Sequence, residues 1–225
     1  MKHYLFFLTL LSLLASCNTK IDDTVRPLGR EYYNDKINSW IEYKVDSFVF
    51  SDFSQPVQKI DTFYYQVRET ITEKFLNSSG RETNRIERFK RLKATDPWVL
   101  VGVWTSNINN NSLEKVEENI RYTKLSFPIT SNKEWAGNQY NTLIPWEYVY
   151  RDIDKPVTLN GYTFDHTITV IQKDSTDNNI IEERFAKEIY AKGIGMVYKQ
   201  MDTLEIQSSI KKGLYYRQTA IDWSK

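Results

Sequence analysis

The chain offers few groups for covalent or acid–base chemistry. Its 225 residues include one cysteine, Cys17, and two histidines, His3 and His166. A disulfide needs two cysteines and a thiolate zinc site needs several ligands, so neither can be built within the chain. To act as a catalytic imidazole, His166 would need a nucleophile and an orienting carboxylate. Strand alternation puts it on the face of Phe164, Ile168 and Val170, and no Gly-x-Ser-x-Gly elbow occurs. It therefore reads as a histidine at the edge of the core. The pairs Glu117-Glu118 and Glu182-Glu183 have the residue type of a glycosidase acid and base. Adjacent strand residues point to opposite faces, so neither pair shares a cleft by sequence alone. Both read as solvated faces. Gly193-x-Gly195 lacks the third glycine and following helix of a nucleotide-binding loop and reads as a structural turn. The expectation is a non-enzyme with no cofactor and no metal site.

Cys17 stands where a thiol has one evident use. It follows a basic start with Lys2 and a mostly apolar run over 5–14, and it closes the segment Leu14-Ala15-Ser16-Cys17. A basic start, a short apolar run and small residues at its end make a secretory signal peptide. The run is shorter than the roughly 20 residues that a membrane-spanning helix needs. Leu14-Ala15-Ser16-Cys17 resembles the lipobox of bacterial lipoproteins. The resemblance implies that the Cys17 thiol takes a diacylglyceryl group and that cleavage makes Cys17 the first mature residue. Acyl chains contribute about 0.8 kcal/mol per buried methylene, and two or more anchor stably. The expected partner is thus a membrane, reached through lipid. Residues 18–30 are polar, carry Pro27 and Gly29, and read as a tether. The acidic pair Asp22-Asp23 resembles surface-export signals of Bacteroidota lipoproteins. The expected organisation is a signal peptide over 1–16, the lipidated cysteine and tether over 17–30, and a β-rich domain over 31–225. The expected location is the cell envelope, on either face of the outer membrane.

Charge narrows the partners. Lys+Arg is 30 and Asp+Glu is 29, and loss of Lys2 with the leader makes the mature chain formally neutral. That balance argues against nucleic acid as a partner. Arg81, Arg85, Arg88, Lys90, Arg91 and Lys93 form a basic strand, with Arg81, Arg85 and Arg91 on one face and Arg88 and Lys90 on the other. A phosphate or lipopolysaccharide patch is one reading. Glu82 and Glu87 dilute it, and a charged edge strand is the simpler one.

The body of the chain reads as β structure. Aromatics make up 14% of residues, with 15 Tyr, 11 Phe and 6 Trp, a composition that favours strands. Ile41, Tyr43, Val45 and Val49 share one face of 40–50, opposite Glu42, Lys44 and Asp46. Phe63, Tyr65, Val67 and Ile71 share another face, interrupted by Glu69. These are period-2 strands with one buried side. Trp98–Trp104 is apolar on both faces, which predicts a strand covered on both sides. The longest irregular stretch is 128–145. Residues 180–191 fit a helix or a strand, and the neighbouring strands favour strand. The Lys192–Gly195 segment reads as a tight turn, since glycine permits positive φ. The expected fold is a single antiparallel meander of about ten strands, wrapped as a barrel or curved half-barrel.

Several segments are similar to a group of Bacteroidota envelope lipoproteins. They are Trp40–Ser47, Leu125–Pro128 with Trp135–Asn138, Asn141–Leu143 with Trp146–Tyr148, and Tyr190–Lys199, the most specific. The resemblance implies a β fold and an envelope location, and no activity. Two functions then compete. One is a non-catalytic binding or structural module presented to a protein or glycan partner. The other is a carrier of an apolar acyl or lipid ligand in a half-barrel resembling the LolA/LolB carriers. A filled core would favour the first, and an open apolar concavity the second.

Overall fold

The computed structural model describes residues 28–51, 57–175, 181–208 and 210–225. The leader, Cys17, Asp22-Asp23 and the tether up to Pro27 lie outside the described residues. The twelve strands are β1 (Trp40–Phe50), β2 (Ile60–Leu76), β3 (Glu82–Arg91), β4 (Val99–Ile108), β5 (Ser112–Glu117) and β6 (Ile120–Ser126), followed by β7 (Glu134–Ala136), β8 (Glu147–Leu159), β9 (Tyr162–Asp174), β10 (Glu182–Ala191), β11 (Gly195–Gln207) and β12 (Ile210–Trp223). All belong to one antiparallel sheet in the order β6-β5-β4-β3-β2-β1-β12-β11-β10-β9-β8-β7. Each strand pairs with its neighbours in sequence except at β6–β7, and β12 closes onto β1 through Tyr43↔Ala220 and Val45↔Gln218. The two ends of the order, β6 and β7, are also consecutive in the chain. The meander therefore wraps into a nearly closed barrel. Register shifts at Ile71/Glu73, Arg88/Phe89, Leu113/Glu114 and Ile189/Tyr190 add the local twist that curls a long sheet.

Two buried clusters fill the lower interior. One groups Leu113, Leu125, Phe127, Tyr148, Tyr150, Ile168, Val170 and Tyr190. The other groups Tyr43, Val45, Val67, Phe164, Ile189, Val197 and Ala220. A 3-10 turn, Arg30–Tyr32, plugs this end. Tyr32 is buried, and the Tyr33 hydroxyl lies 2.6 Å from Ser106 Oγ.

The wall is uneven. β5 and β6 have six and seven residues, whereas β2, β11 and β12 have 17, 13 and 14. β5 ends at Glu117, whose carboxylate meets Lys199 of β11 at 3.3 Å. From Lys199 β11 continues to Gln207, a further rise of roughly 25 Å. The molecule is thus a barrel below and a half-barrel above.

Several expectations need correction. The single meander is as expected; among the described residues it has twelve strands, and β7 lies inside the stretch read as irregular, three residues being too few to show a period. β3 sits between β2 and β4, so its basic residues do not guard an edge. Its outward Arg91 lies over the Trp98 ring at 4.1 Å and reaches Glu42, while Arg88 points inward. β4 is not covered on both sides. β5 pairs only with Thr105–Ile108, so Val99, Leu100, Val101 and Val103 are exposed. The reading of 180–191 as strand is met by β10, Glu182–Ala191. His166 is exposed rather than part of the core edge, with Nδ1 2.9 Å from Asp154 Oδ1.

The β10–β11 turn has a specific backbone demand. Gly193 has φ 73 and Gly195 φ 113. The Gly193 N–H donates to Glu31 O at 2.7 Å, tying the turn to the plug. An added Cβ at Gly193 meets nothing within 4 Å, and one at Gly195 meets Ile41 Cδ1 at 3.4 Å. Left-handed φ near 70° is open to asparagine; φ near 110° is costlier for any L side chain. Thermal melts should therefore show Gly195→Val losing about 2–3 kcal/mol, Gly193→Val about 1–2, and Gly193→Asn little. Gly102→Ala, whose Cβ would meet only ordinary contacts at 3.8 Å, is the control. Equal melting temperatures for Gly195→Val and the control would remove the strain argument.

Candidate functional site: a charged layer and the chamber above it

Charged residues from strands that are not neighbours meet inside the barrel. Glu69 of β2 lies 2.8 Å from Arg88 of β3 and 2.8 Å from Lys115 of β5. Glu117 of β5 takes Lys124 of β6 at 3.1 Å and Lys199 of β11 at 3.3 Å. Glu188 of β10 takes Lys124 at 2.9 Å and Lys199 at 3.6 Å. The contacts β2 to β5, β5 to β11 and β6 to β10 skip intervening strands, which is possible only across the lumen. The register agrees: Glu69↔Arg88, Ser106↔Lys115 and Glu188↔Lys199 are facing pairs. Arg88 and Lys115 also lie over the Trp104 ring at 4.3 and 4.7 Å. The Tyr190 hydroxyl donates to Glu188 at 2.6 Å.

This layer is held ionised. Burial raises the Glu117 carboxyl, but Lys124, Lys199 and Lys115 outweigh it, so the group titrates well below the usual carboxylate range. Burial likewise raises Glu188, and Lys124 and Lys199 bring it below its ordinary value. Glu69 is lowered in the same way, with Lys115 and Arg88 overcoming its burial. Burial depresses Lys124, yet Glu117 and Glu188 hold it well above the usual lysine range. Lys115 is raised by Glu69 and Glu117 against its own burial. Buried charge of this kind is tolerated only when paired. Four cations, Arg88, Lys115, Lys124 and Lys199, face three carboxylates, Glu69, Glu117 and Glu188. The layer thus carries one surplus positive charge.

Below the layer a small void of about 50 Å³ lies among Tyr33, Tyr43, Ile71, Ile86 and Met196. Above it, under the low wall, is a chamber of about 280 Å³. Its floor is Glu117, Lys124 and Lys199, and Arg184, Gln172 and Asn138 also line it. Its apolar lining is Leu143, Ile144, Trp146 and Met201, of which Leu143 and Ile144 are exposed rim residues. Gln172 is 5% and Asn138 8% exposed. Gln172 Nε2 and Asn138 Oδ1 are nevertheless buried without a hydrogen-bond partner.

Of the residues singled out in sequence, the structure brings few to this site. Glu117, read as solvated, is buried in the layer because β5 turns it inward beside Lys115. Its neighbour Glu118 points out and accepts from Trp104 Nε1 at 3.1 Å. His166 lies outside, Gly193 and Gly195 sit in a lower turn, and Cys17 is beyond the described residues. The residues that sequence reasoning missed, Lys115, Lys124, Glu188 and Lys199, do leave a signal. Like Glu69, which interrupts an apolar strand face, Lys124 follows Ile120 and Tyr122 on its face and Lys199 stands between Val197 and Met201, whereas Lys115 and Glu188 share their faces with Glu117 and Arg184 and stand out less. Among the described residues, no group of three or more His, Cys, Asp or Glu is arranged to hold a metal ion, and no helix is long and apolar enough to cross a membrane.

No family model matches the chain, and no curated protein matches it. Among solved structures, the chain is similar to a Bacteroides fragilis protein provisionally described as an exported protein with a YmcC-like fold. The two share 10% identity over 86% of this chain and 98% of the other, with a TM-score of 0.43.

Proposed function

We propose that the protein is a non-catalytic, lipid-anchored binding protein of the cell envelope that holds a ligand in the chamber above its charged layer. The observation that carries this reading is the chamber itself. Its volume lies near the lower end of small-ligand sites, and apolar walls with a few convergent polar groups are the usual make-up of such sites. The anchor rests on Leu14-Ala15-Ser16-Cys17, and the partner on the lipid side is the outer membrane. A second reading, a module docking a protein partner, is favoured by Val99–Val103 of β4, paired with β3 but open on its β5 side, an exposed apolar edge of the kind that accepts an added strand.

Two measurements test the proposal. Native mass spectrometry of the full chain from membranes should find a small molecule co-purifying in near-unit amount. A ligand-free protein that also binds none of a panel of small amphiphiles would leave the docking reading instead. Metabolic labelling with an acyl probe should mark the wild-type chain, and Cys17→Ala should remain an unlabelled precursor. A processed, labelled Cys17→Ala chain would remove the anchor.

A further inference from the structure

The chamber has a chemical polarity that its volume alone does not convey. At one end are the ammonium groups of Lys124 and Lys199, the Arg184 guanidinium, which also bonds Glu182 at 3.1 Å, and the Gln172 amide, whose Nε2 has no partner. At the other are Leu143 and Ile144, which open to solvent, and the partly buried Trp146. Met201 continues the apolar lining up the tall wall. It pairs in register with Tyr216 of β12, which in turn pairs with Ser47 of β1, opposite Phe63 of β2. Phe63 is exposed at the top of this face. Apolar and aromatic side chains, interrupted at the buried Ser47, therefore lead round the wall from the cationic floor.

We propose that the chamber binds a single-chain anionic amphiphile of the free acyl-carboxylate class. Its carboxylate would sit on the Lys199–Arg184–Gln172 side and its chain against Leu143, Ile144, Trp146 and Met201. This rests on the binding function proposed above and names its ligand. Three observations converge. The buried layer holds four cations against three carboxylates, so one monoanion neutralises it, whereas a phosphate group brings up to about two charges. Gln172 Nε2 is a buried donor with no acceptor, a group that costs stability unless an acceptor arrives. The volume of about 280 Å³ suits one short acyl chain and not the two chains of a phospholipid. Asn138 donates to Ile144 O at 2.7 Å, fixing the rim, and its free Oδ1 is left for a ligand hydroxyl or a water.

The test is calorimetric titration of the full chain in zwitterionic lipid nanodiscs, with empty discs as the blank. The probes are octanoate, 1-octanol, octyltrimethylammonium, acetate and dihexanoyl phosphatidylglycerol. Octanoate should bind at least about tenfold more tightly than each of the others, as expected when a charge-assisted contact is present in one and absent from the rest. Lys199→Met should remove that preference while leaving octanol binding unchanged. Arg184→Gln and Gln172→Leu, which break no part of the Glu117–Lys124–Glu188 core, provide the same reading should Lys199→Met fail to fold. Octanoate and octanol binding equally in the wild type and in all three variants would overturn the anionic head while leaving a binding chamber. Tighter binding of the phospholipid, the ammonium or acetate would overturn the single-chain carboxylate. Binding of no probe at all would overturn both this inference and the chamber as a ligand site.

Discussion

Replacing Lys124 with methionine should destabilise the protein by about 3–5 kcal/mol, the usual cost of removing one partner from a buried ion pair. The Lys124 side chain is 4% exposed and that of Glu188 is not exposed at all. The loss leaves Glu188 with Lys199 at 3.6 Å and the Tyr190 hydroxyl, and Glu117 with Lys115 and Lys199. For a domain of this size the melting temperature should fall by roughly 10 °C. Lys211→Met, which breaks the partly exposed pair with Glu183 at 3.5 Å, should cost under about 1 kcal/mol. The contrast between the two lysines isolates burial from pairing. Adding Glu188→Gln to Lys124→Met should cost less than the sum of the single changes, by about 1–3 kcal/mol, because the second change removes the charge that the first stranded. Additive effects would mean that the two groups do not act as a pair.

The same layer sets a pH window. Glu69, Glu117 and Glu188 titrate below the ordinary carboxylate value in the folded chain. Their contribution is therefore complete above about pH 4.3, the unfolded value, and is lost as pH falls through the lower native values. Lys115 and Lys124 titrate above the ordinary lysine value. Their contribution is complete below about pH 10.4 and is lost as pH rises through the higher native values. Stability from the layer should be flat across neutral pH and fall at both extremes. In Lys124→Met the acid limb should begin at higher pH, since the cation that holds Glu117 and Glu188 ionised is gone. An acid limb unchanged from wild type would mean that other groups govern acid unfolding.

Most strands were legible because each buries one face, so residues such as Tyr43 and Val45 alternate with Lys44 on the scale that sequence reading samples. What was not legible depends on strands distant in sequence. Val99–Val103 looked covered because its residues are apolar, but the lengths of β5 and β6 decide its exposure, and they stop short. Arg88 and Arg91 look alike in sequence. Alternation puts them on opposite faces, but only closure of the barrel decides that Arg88 meets Glu69 in the lumen and Arg91 lies on Trp98 outside. Glu69 showed itself as a break in an apolar face. Its partner Lys115 lies three strands away, so the sequence could mark the anomaly without saying what resolves it. The chamber is less legible still, since its floor comes from β5, β6 and β11 and its rim from the segment that leads into β8.

Tyr150→Ala should cost about 3–5 kcal/mol, and Tyr150→Phe about 1–3 kcal/mol, for separable reasons. Tyr150 is fully buried and stands at the one place where the ladder is interrupted. β6 and β7 are not paired with each other. Side chains and one loop close the gap. Thr123 N donates to Gly137 O at 2.9 Å, and Trp135 Nε1 donates to Thr123 O at 2.9 Å. The Tyr150 hydroxyl accepts from Ser126 N at 2.8 Å and donates to Ser126 O at 3.0 Å, doing for β6 what a neighbouring strand would do. Its ring lies 4.5 Å from that of Trp135. Phenylalanine keeps the ring and deletes both bonds, so its cost is that of unpaired backbone groups. Alanine also leaves a cavity between β6 and β8. Because the seam is local, hydrogen exchange should locate the effect. Amides of Thr123 and Ser126 should lose protection in Tyr150→Phe, while Val45 and Thr219, near the β1–β12 closure, should keep theirs until the whole barrel opens. Protection at Ser126 equal to wild type would show that the ladder, not the tyrosine, closes the barrel. A uniform loss at all four sites would show that the barrel opens only as a unit.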